Sequence, residues 1–287
     1  MARTLRLSSF TCQDGVPSTR TPGVGANGAF SQSIQRGLAI LSSFRSERPL
    51  LGVSELGRDV GLSRSTTHRY VTTLVSLGYL QQDLGTKKYR LGPRVLDLGF
   101  SAINSMELRE VAGPHLRELS DATGYTVNMA ILDDLDIVYV DRCRSAQARQ
   151  REIDLNLHVG ARLPAYCTSL GKVLLAGLGD DERASRLERI DFQRRGPNTI
   201  TSRAALAAEL MLVREQGYAV NNEELAYGLR SIAAPVVAHD GSAVGAINLA
   251  VHSSMVSSAD LGDRFGRVLM RTAADISARL GYRQPGF

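Results

Sequence analysis

Ser54-Glu-Leu-Gly-Arg-Asp-Val60-Gly-Leu-Ser63-Arg-Ser-Thr-Thr-His-Arg-Tyr70-Val-Thr-Thr-Leu-Val-Ser-Leu77-Gly-Tyr-Leu80 is the stretch whose reading decides the fold. It predicts a first helix over Ser54–Val60 with Ser54 as N-cap, ended at Gly61, because positive φ costs glycine nothing. Ser63 then caps a second helix, which runs to about Leu77 and stops at Gly78. Val71, Leu74 and Leu77, with Tyr70 beside them, form one apolar stripe at helical spacing. The other face carries Arg64, Ser65, Thr66, Arg69, Thr72 and Thr73. Short hydroxyls and two arginines with no carboxylate suit a surface that enters the major groove, where a carboxylate would repel phosphate. The pattern is a helix-turn-helix with the second helix as reader.

Outward from the reader, Tyr79–Gln82 and Tyr89–Leu91 alternate like strands around Leu84-Gly85-Thr86-Lys87. A hairpin tipped by Lys87 and Lys88, followed by Arg90, is a wing suited to backbone phosphates. The expected DNA-contacting set is therefore Arg64, Ser65, Thr66, Arg69, Tyr70, Thr73, Lys87, Lys88 and Arg90. Charge distribution agrees. Residues 1–94 hold 13 Lys and Arg against 5 Asp and Glu, whereas the remainder holds 21 against 24. The basic excess lies on the segment that would meet a polyanion.

The chain of 287 residues is long enough for two domains. Residues 1–30 are rich in Ser, Thr, Gly and Pro and read as a disordered arm. Residues 31–92 form the winged domain, opening on a helix Ile34–Phe44 capped by Ser33 and burying Ile34, Leu38, Ile40 and Leu41. Residues 93–106 read as a linker helix at a dimer interface, since Val95, Leu96, Leu98 and Ile103 make it apolar on more than one side. Residues 107–287 form an α+β domain. Its expected helices are Glu107–Thr123, Ser169–Gly177, Asp180–Arg189, Ser202–Gln216 and Ala259–Leu280. Its expected strands are Tyr125–Leu132, Ile137–Arg142, Ile153–Val159, Tyr218–Asn221, Ser231–Ala238 and Ala243–Val251. No apolar run approaches the roughly 20 residues a membrane span needs. The N-terminus lacks a signal-peptide core, and the cysteines Cys12, Cys143 and Cys167 are few and scattered. Both point to a cytoplasmic protein.

In the second domain a polar loop, Gly160–Thr168, opens directly into the apolar helix at Ser169 and Leu170. Free N–H groups at such a start suit a carboxylate or phosphate, while simple helix capping explains the same residues. Gly171-Lys172 hints at a phosphate loop. A Walker motif, however, needs glycine at 166 and Ser or Thr at 173, where this chain has Tyr166 and Val173. Cys167 has no base placed beside it, and His158, Cys167 and His239 lack metal-ligand spacing, so neither a catalytic nor a metal site is expected. Asn128, Asn221 and Asn248 sit in apolar strands, where their amides need partners. They are candidates for a pocket wall, with Arg142 at a strand end and Ser231. Sheet-edge hydrogen bonding explains such residues equally well.

Together these residues resemble the IclR family of bacterial transcriptional regulators over about residues 33–281. The matching segments are Ser33–Leu38, Leu62–Thr66, Leu77–Leu80, Lys88–Gly92 and Gly228–Pro235. The string His158–Ser169 resembles the branch that controls the β-ketoadipate pathway of aromatic degradation. The resemblance implies a winged helix, a linker helix and a GAF-like effector domain. It also implies homodimers, often paired into tetramers, on palindromic double-stranded operators, and no cofactor. It places a small organic acid near the Ser169 helix start and the strands carrying Ser231 and Asn248, with protocatechuate, 4-hydroxybenzoate, β-ketoadipate or muconate as the implied effectors. Thr67 departs from the family by standing where an apolar core residue is usual. Two other classes stay open: an enzyme acting on a small acid, and a DNA-binding architectural protein without a ligand.

Overall fold

The computed structural model describes residues 30–45, 47–104, 106–145 and 157–283. The expected arm up to residue 29, and residues 153–156 of the expected strand Ile153–Val159, lie outside the described residues. The chain divides into two compact units at Asp97/Leu98.

The first unit contains α1 (Gln32–Ser42), α2 (Val53–Val60), α3 (Arg64–Ser76) and a two-stranded antiparallel wing, β1 (Leu80–Gln82) and β2 (Tyr89–Leu91). Ile40, Phe44, Leu51, Leu56, Val71, Leu74, Leu80 and Tyr89 form its core. Gly61 and Gly78 adopt the positive φ that the sequence required of them. Two expected caps move. Ser31, not Ser33, caps α1. Helix α2 starts after Gly52, where Glu55 reaches back to accept the Gly52 N–H at 2.7 Å. A carboxylate in the third helical position can close a capping box on any residue that still has an N–H, so no capping side chain was needed. Ile34 and Leu38 are exposed, at 65% and 58%, so α1 buries Ile40 rather than the whole expected face.

Thr67, the departure from the apolar pattern, is fully buried without strain. Its hydroxyl donates to the Ser63 carbonyl at 2.9 Å. Gly57 makes room for it: a Cβ there would stand 3.0 Å from Thr67 Oγ1 and 2.9 Å from the Leu62 carbonyl. Helices α2 and α3 therefore cross closely.

Helix α4 (Arg94–Asn104) leads into the second unit. That unit contains α5 (Glu107–Thr123) and a six-stranded antiparallel sheet of β3 (Thr126–Asp133), β4 (Asp136–Cys143), β5 (Arg162–Pro164), β6 (Ala219–Asn222), β7 (Leu229–Val237) and β8 (Ala243–His252). Strand order is β5-β4-β3-β8-β7-β6. Strand β5, Arg162–Pro164, pairs with β4, and residues 157–159 of the expected strand Ile153–Val159 are not in a strand. Helices α6 (Ser169–Ala176), α7 (Asp180–Arg189) and α8 (Arg203–Gln216) lie between β5 and β6, and α9 (Ser258–Leu261) and α10 (Arg267–Arg279) close the chain. A π-turn, Gly262–Gly266, joins the last two, so the expected single terminal helix is interrupted.

Strand periodicity gives this sheet two faces. Val127, Met129, Ile232, Ala234, Ile247 and Leu249 pack with Leu116 of α5 and Leu269 and Ile276 of α10. The opposite parity, Ala130, Ala219, Ala233 and Ala246, packs with Leu170, Val173 and Leu174 of α6 and Leu206 and Leu210 of α8. Small side chains on this second face let α6 lie close to the strands.

Candidate functional site

Two surfaces carry the chemistry, one in each unit. In the first unit α3 presents Arg64, Ser65, Arg69, Thr72 and Thr73 to solvent, with Thr66 half-buried. Ser63 holds the helix start by accepting the Thr66 N–H, and its hydroxyl donates to Thr66 Oγ1 at 2.9 Å. Thr73 Oγ1 donates to the Arg69 carbonyl at 3.0 Å. Tyr70 stands apart from this face. It is half-buried against the core, and its phenol is held below its usual range by the Ser33 hydroxyl of α1, with Arg36 adding to the effect.

The wing is stiffer than its sequence suggests. Asp83 Oδ1 accepts both the N–H and the hydroxyl of Thr86 at 2.7 Å, and these bonds depress the Asp83 carboxyl. Lys87 takes a positive φ of 59° at the exposed tip. Lys88, expected at the tip with it, turns inward instead. Its Nζ lies 3.1 Å from Glu55 Oε2. The Gly52 N–H and then Lys88 hold the Glu55 carboxyl below its ordinary value. Arg90 is exposed on β2. The wing thus offers Lys87 and Arg90 freely, while Lys88 ties it to α2.

In the second unit Asn128, Asn221, Ser231 and Asn248 line one pocket, together with Thr168 of the polar loop before α6 and with Tyr139, which sequence reasoning did not single out. All six are nearly closed to solvent. The register explains the convergence: Asn128 faces Asn248 across β3 and β8, and Asn221 faces Ser231 across β6 and β7. Each is on the sheet face covered by α6. Asn128 Nδ2 donates to Asn248 Oδ1 at 2.8 Å, and Ser169 Oγ and Ser231 Oγ lie 2.7 Å apart. Asn221 Nδ2 donates to the Cys167 carbonyl at 2.6 Å and so fixes the turn that precedes α6.

At the start of α6, Thr168 is the N-cap. Its hydroxyl accepts the Gly171 N–H and its carbonyl accepts the Lys172 N–H. Ser169 and Leu170 are the first two helical positions, whose N–H groups have no acceptor within a helix. The Leu170 side chain is core, so only its backbone can serve a ligand. Arg142 is the cross-strand partner of Asn128 on β4, half-buried and close enough to Tyr139 to act on its phenol. It does not line the pocket.

Lys172 was missed as a structural residue. Only 1% exposed, its ammonium donates to Glu209 Oε1 at 2.9 Å, Glu224 Oε1 at 2.7 Å and the Val220 carbonyl at 2.6 Å. The signal was present: Leu170, Val173, Leu174 and Leu175 leave this helix no polar face, so a lysine within it must find buried partners. Burial pushes the Glu224 carboxyl up, and Lys172 opposes the shift. Cys167 is fully buried and its thiol is pushed up to about 12 by burial. Such a thiol is a poor nucleophile. Among the described residues no group of three or more His, Cys, Asp or Glu side chains is arranged to hold a metal, and no helix is long and apolar enough to cross a membrane.

The IclR helix-turn-helix domain model matches residues 33–84, and the model for the C-terminal domain of bacterial IclR transcriptional regulators matches residues 100–278. The chain belongs to the IclR family. Among its IclR relatives is the Pca regulon regulatory protein of Pseudomonas putida, 34% identical over 264 residues, with 92% of this chain and 89% of that one covered. XynR of Escherichia coli K12 is 36% identical over 254 residues, covering 88% and 98%. A solved IclR homologue from Microbacterium hydrocarbonoxydans, crystallised with 4-hydroxybenzoate, superposes with a TM-score of 0.73 at 25% identity, covering 86% and 98%. This IclR chain is accordingly a DNA-binding, effector-binding transcriptional regulator rather than an enzyme.

Proposed function

We propose that this regulator senses a small aromatic or dicarboxylic acid and controls genes of aromatic-compound catabolism. One observation carries the reading: four buried polar side chains, Asn128, Asn221, Ser231 and Asn248, converge beside Thr168, the N-cap of α6. The effector carboxylate sits on the Ser169 and Leu170 N–H groups, where orphan donors and the helix dipole favour an anion. The likeness to the Pca regulon regulator, and to a homologue crystallised with an aromatic acid, supports the aromatic class. Residues 31–92 bind DNA, 93–106 link, and 107–287 sense the acid. Arg64, Ser65, Thr66, Arg69 and Thr73 meet base edges and nearby phosphates, with Lys87 and Arg90 on the backbone. The protein acts as a homodimer, paired into tetramers, on a palindromic operator. The exposed Leu96, Leu98 and Phe100 of α4 support the dimer.

Ser169→Pro tests the anion site. Proline at the first helical position deletes one N–H while suiting the helix. The preceding Thr168 already holds the extended conformation, ψ 145°, that a residue before proline needs. Ser169→Ala keeps the N–H and controls for the lost hydroxyl. Calorimetry on the full chain should show acid binding in wild type and in Ser169→Ala, and none in Ser169→Pro, with operator affinity without ligand unchanged. Equal binding by Ser169→Pro moves the carboxylate elsewhere.

A further inference from the structure

Ser54, Gly57, Arg58 and Gly61 recur at the spacing of one face of α2. With Leu62 and Arg64 they line an open groove of about 380 Å³ at the corner between α2 and α3. Gly57 and Gly61 give it a floor without side chains, and Ser54, Arg58 and Arg64 stand exposed around it. Among the described residues no acceptor holds either guanidinium, and the Ser54 hydroxyl makes no hydrogen bond. We propose that this groove seats one backbone phosphate of the operator in each protomer, held by Arg58 and Ser54 together with Arg64, and so sets the angle at which α3 enters the major groove. The inference rests on α3 being the reader helix.

The freedom of these groups is specific to this face. Both carboxylates of α2 are engaged elsewhere: Glu55 accepts the Gly52 N–H and holds Lys88 at 3.1 Å, and Asp59 holds Arg48 at 3.2 Å. Glu55 stands three residues before Arg58, close enough on a helix to pair with it, yet its oxygens serve the other two partners. The same capping box leaves Ser54 without the capping duty its position suggested. Two guanidiniums and a hydroxyl around a bare backbone floor match the charged oxygens of a phosphodiester, which a planar guanidinium fork meets in pairs. Arg64 belongs both to the groove and to the exposed face of α3, so a duplex lying against that face brings its backbone to Arg58. A contact of this kind fixes orientation and carries no base preference of its own.

The test is Arg58→Gln in the full chain, which removes one charge at an exposed position without a side-chain partner among the described residues. Affinity for an operator recovered by selection, and for a random-sequence duplex of the same length, is measured between about 50 and 200 mM salt. Each neutralised phosphate contributes about 0.9 to the log–log salt slope, so over this range wild type should lose about 3.5-fold more affinity per protomer than Arg58→Gln. Operator and random duplex should weaken alike, and selection with the variant should return the same preferred bases. Arg48→Gln, whose guanidinium is engaged by Asp59, should change the slope less than half as much. A neutral methylphosphonate placed at each operator phosphate in turn should find one position per protomer that weakens wild type and leaves Arg58→Gln unaffected. An unchanged slope in Arg58→Gln, an equal change in Arg48→Gln, or an altered base preference overturns the phosphate seat while leaving the reader in place. If Arg69→Ala also leaves operator binding unchanged, the reader placement itself has failed, and this inference with it.

Discussion

Lys172 Nζ lies 2.7 Å from Glu224 Oε1, joining the helix at the head of the candidate pocket to the segment after β6. Both side chains are nearly closed to solvent, at 1% and 7%. Glu209, at 30%, completes the cluster from α8 and is free to turn toward water. Lys172→Met therefore strands one buried carboxylate. Unfolding in urea, followed by circular dichroism, should show a loss of about 3–5 kcal/mol, much of it recovered when Glu224→Leu is added. A loss below about 1 kcal/mol in the single variant, or no recovery in the double, would show that the cluster is not what holds α6.

Glu224 also gives the fold a pH dependence. Burial raises its carboxyl above the ordinary 4.5, so the folded chain binds this proton more tightly than the unfolded one. The stabilisation linked to that proton is fully present below about pH 4.5 and is lost as pH rises through the folded value. Glu224→Gln keeps the shape and removes the titration. Its stability relative to wild type should rise as pH climbs from about 4.5 through the folded value of Glu224 and then level off, and parallel pH profiles for the two proteins would contradict the assignment.

On the DNA side, Arg69 and Lys87 are expected to fail differently. Arg69→Ala should weaken binding to an operator recovered by selection from random-sequence DNA by about 1–3 kcal/mol and relax preference at one position. Lys87→Ala should weaken binding to all sequences and reduce the salt slope by about one unit. Lys88→Ala should change both less than Lys87→Ala, because Lys88 is engaged by Glu55. Electrophoretic shifts at several salt concentrations separate these cases, and identical profiles for the lysine variants would put Lys88 back at the wing tip.

Cys167 should be chemically silent. With its thiol near 12, only about one molecule in ten thousand is thiolate at pH 8. Iodoacetamide should leave it unmodified for hours in the folded protein and label it readily in urea. Labelling that keeps pace with the half-buried Cys143 would mean that the turn before α6 opens.

Local chemistry made much of this molecule legible. Ser63, Gly61, Ser202 and Gly217 announce helix ends through capping and positive φ, and the structure uses each of them so. The expected pocket residues Asn128, Asn221, Ser231 and Asn248 meet because strand parity puts them on one face, and parity can be read from sequence. What was hidden depends on distant partners. Nothing in Glu55 reveals that its carboxylate will cap Gly52 and also hold Lys88, 33 residues away. Tyr70 belongs to a helical stripe that α1 half covers, a contact that periodicity alone does not specify. Ile34 and Leu38 have the spacing of a buried face, yet this unit leaves them exposed, since apolar spacing does not say what will cover it. The register that admits Arg162–Pro164 beside β4 is likewise set by pairing, not by local propensity.

The parity of β8 has an evolutionary consequence. Ile247, Leu249 and Val251 maintain the fold, while Asn248 and Ala250 border the pocket, so the two duties alternate residue by residue along one strand. On the proposed acid site, saturation mutagenesis would be scored by effector choice at Asn248 and Ala250 and by abundance at Ile247, Leu249 and Val251. Ala246 shares the pocket face but packs under α6, so it answers to abundance as well. A change of diet could then begin at two positions whose neighbours on either side hold the scaffold.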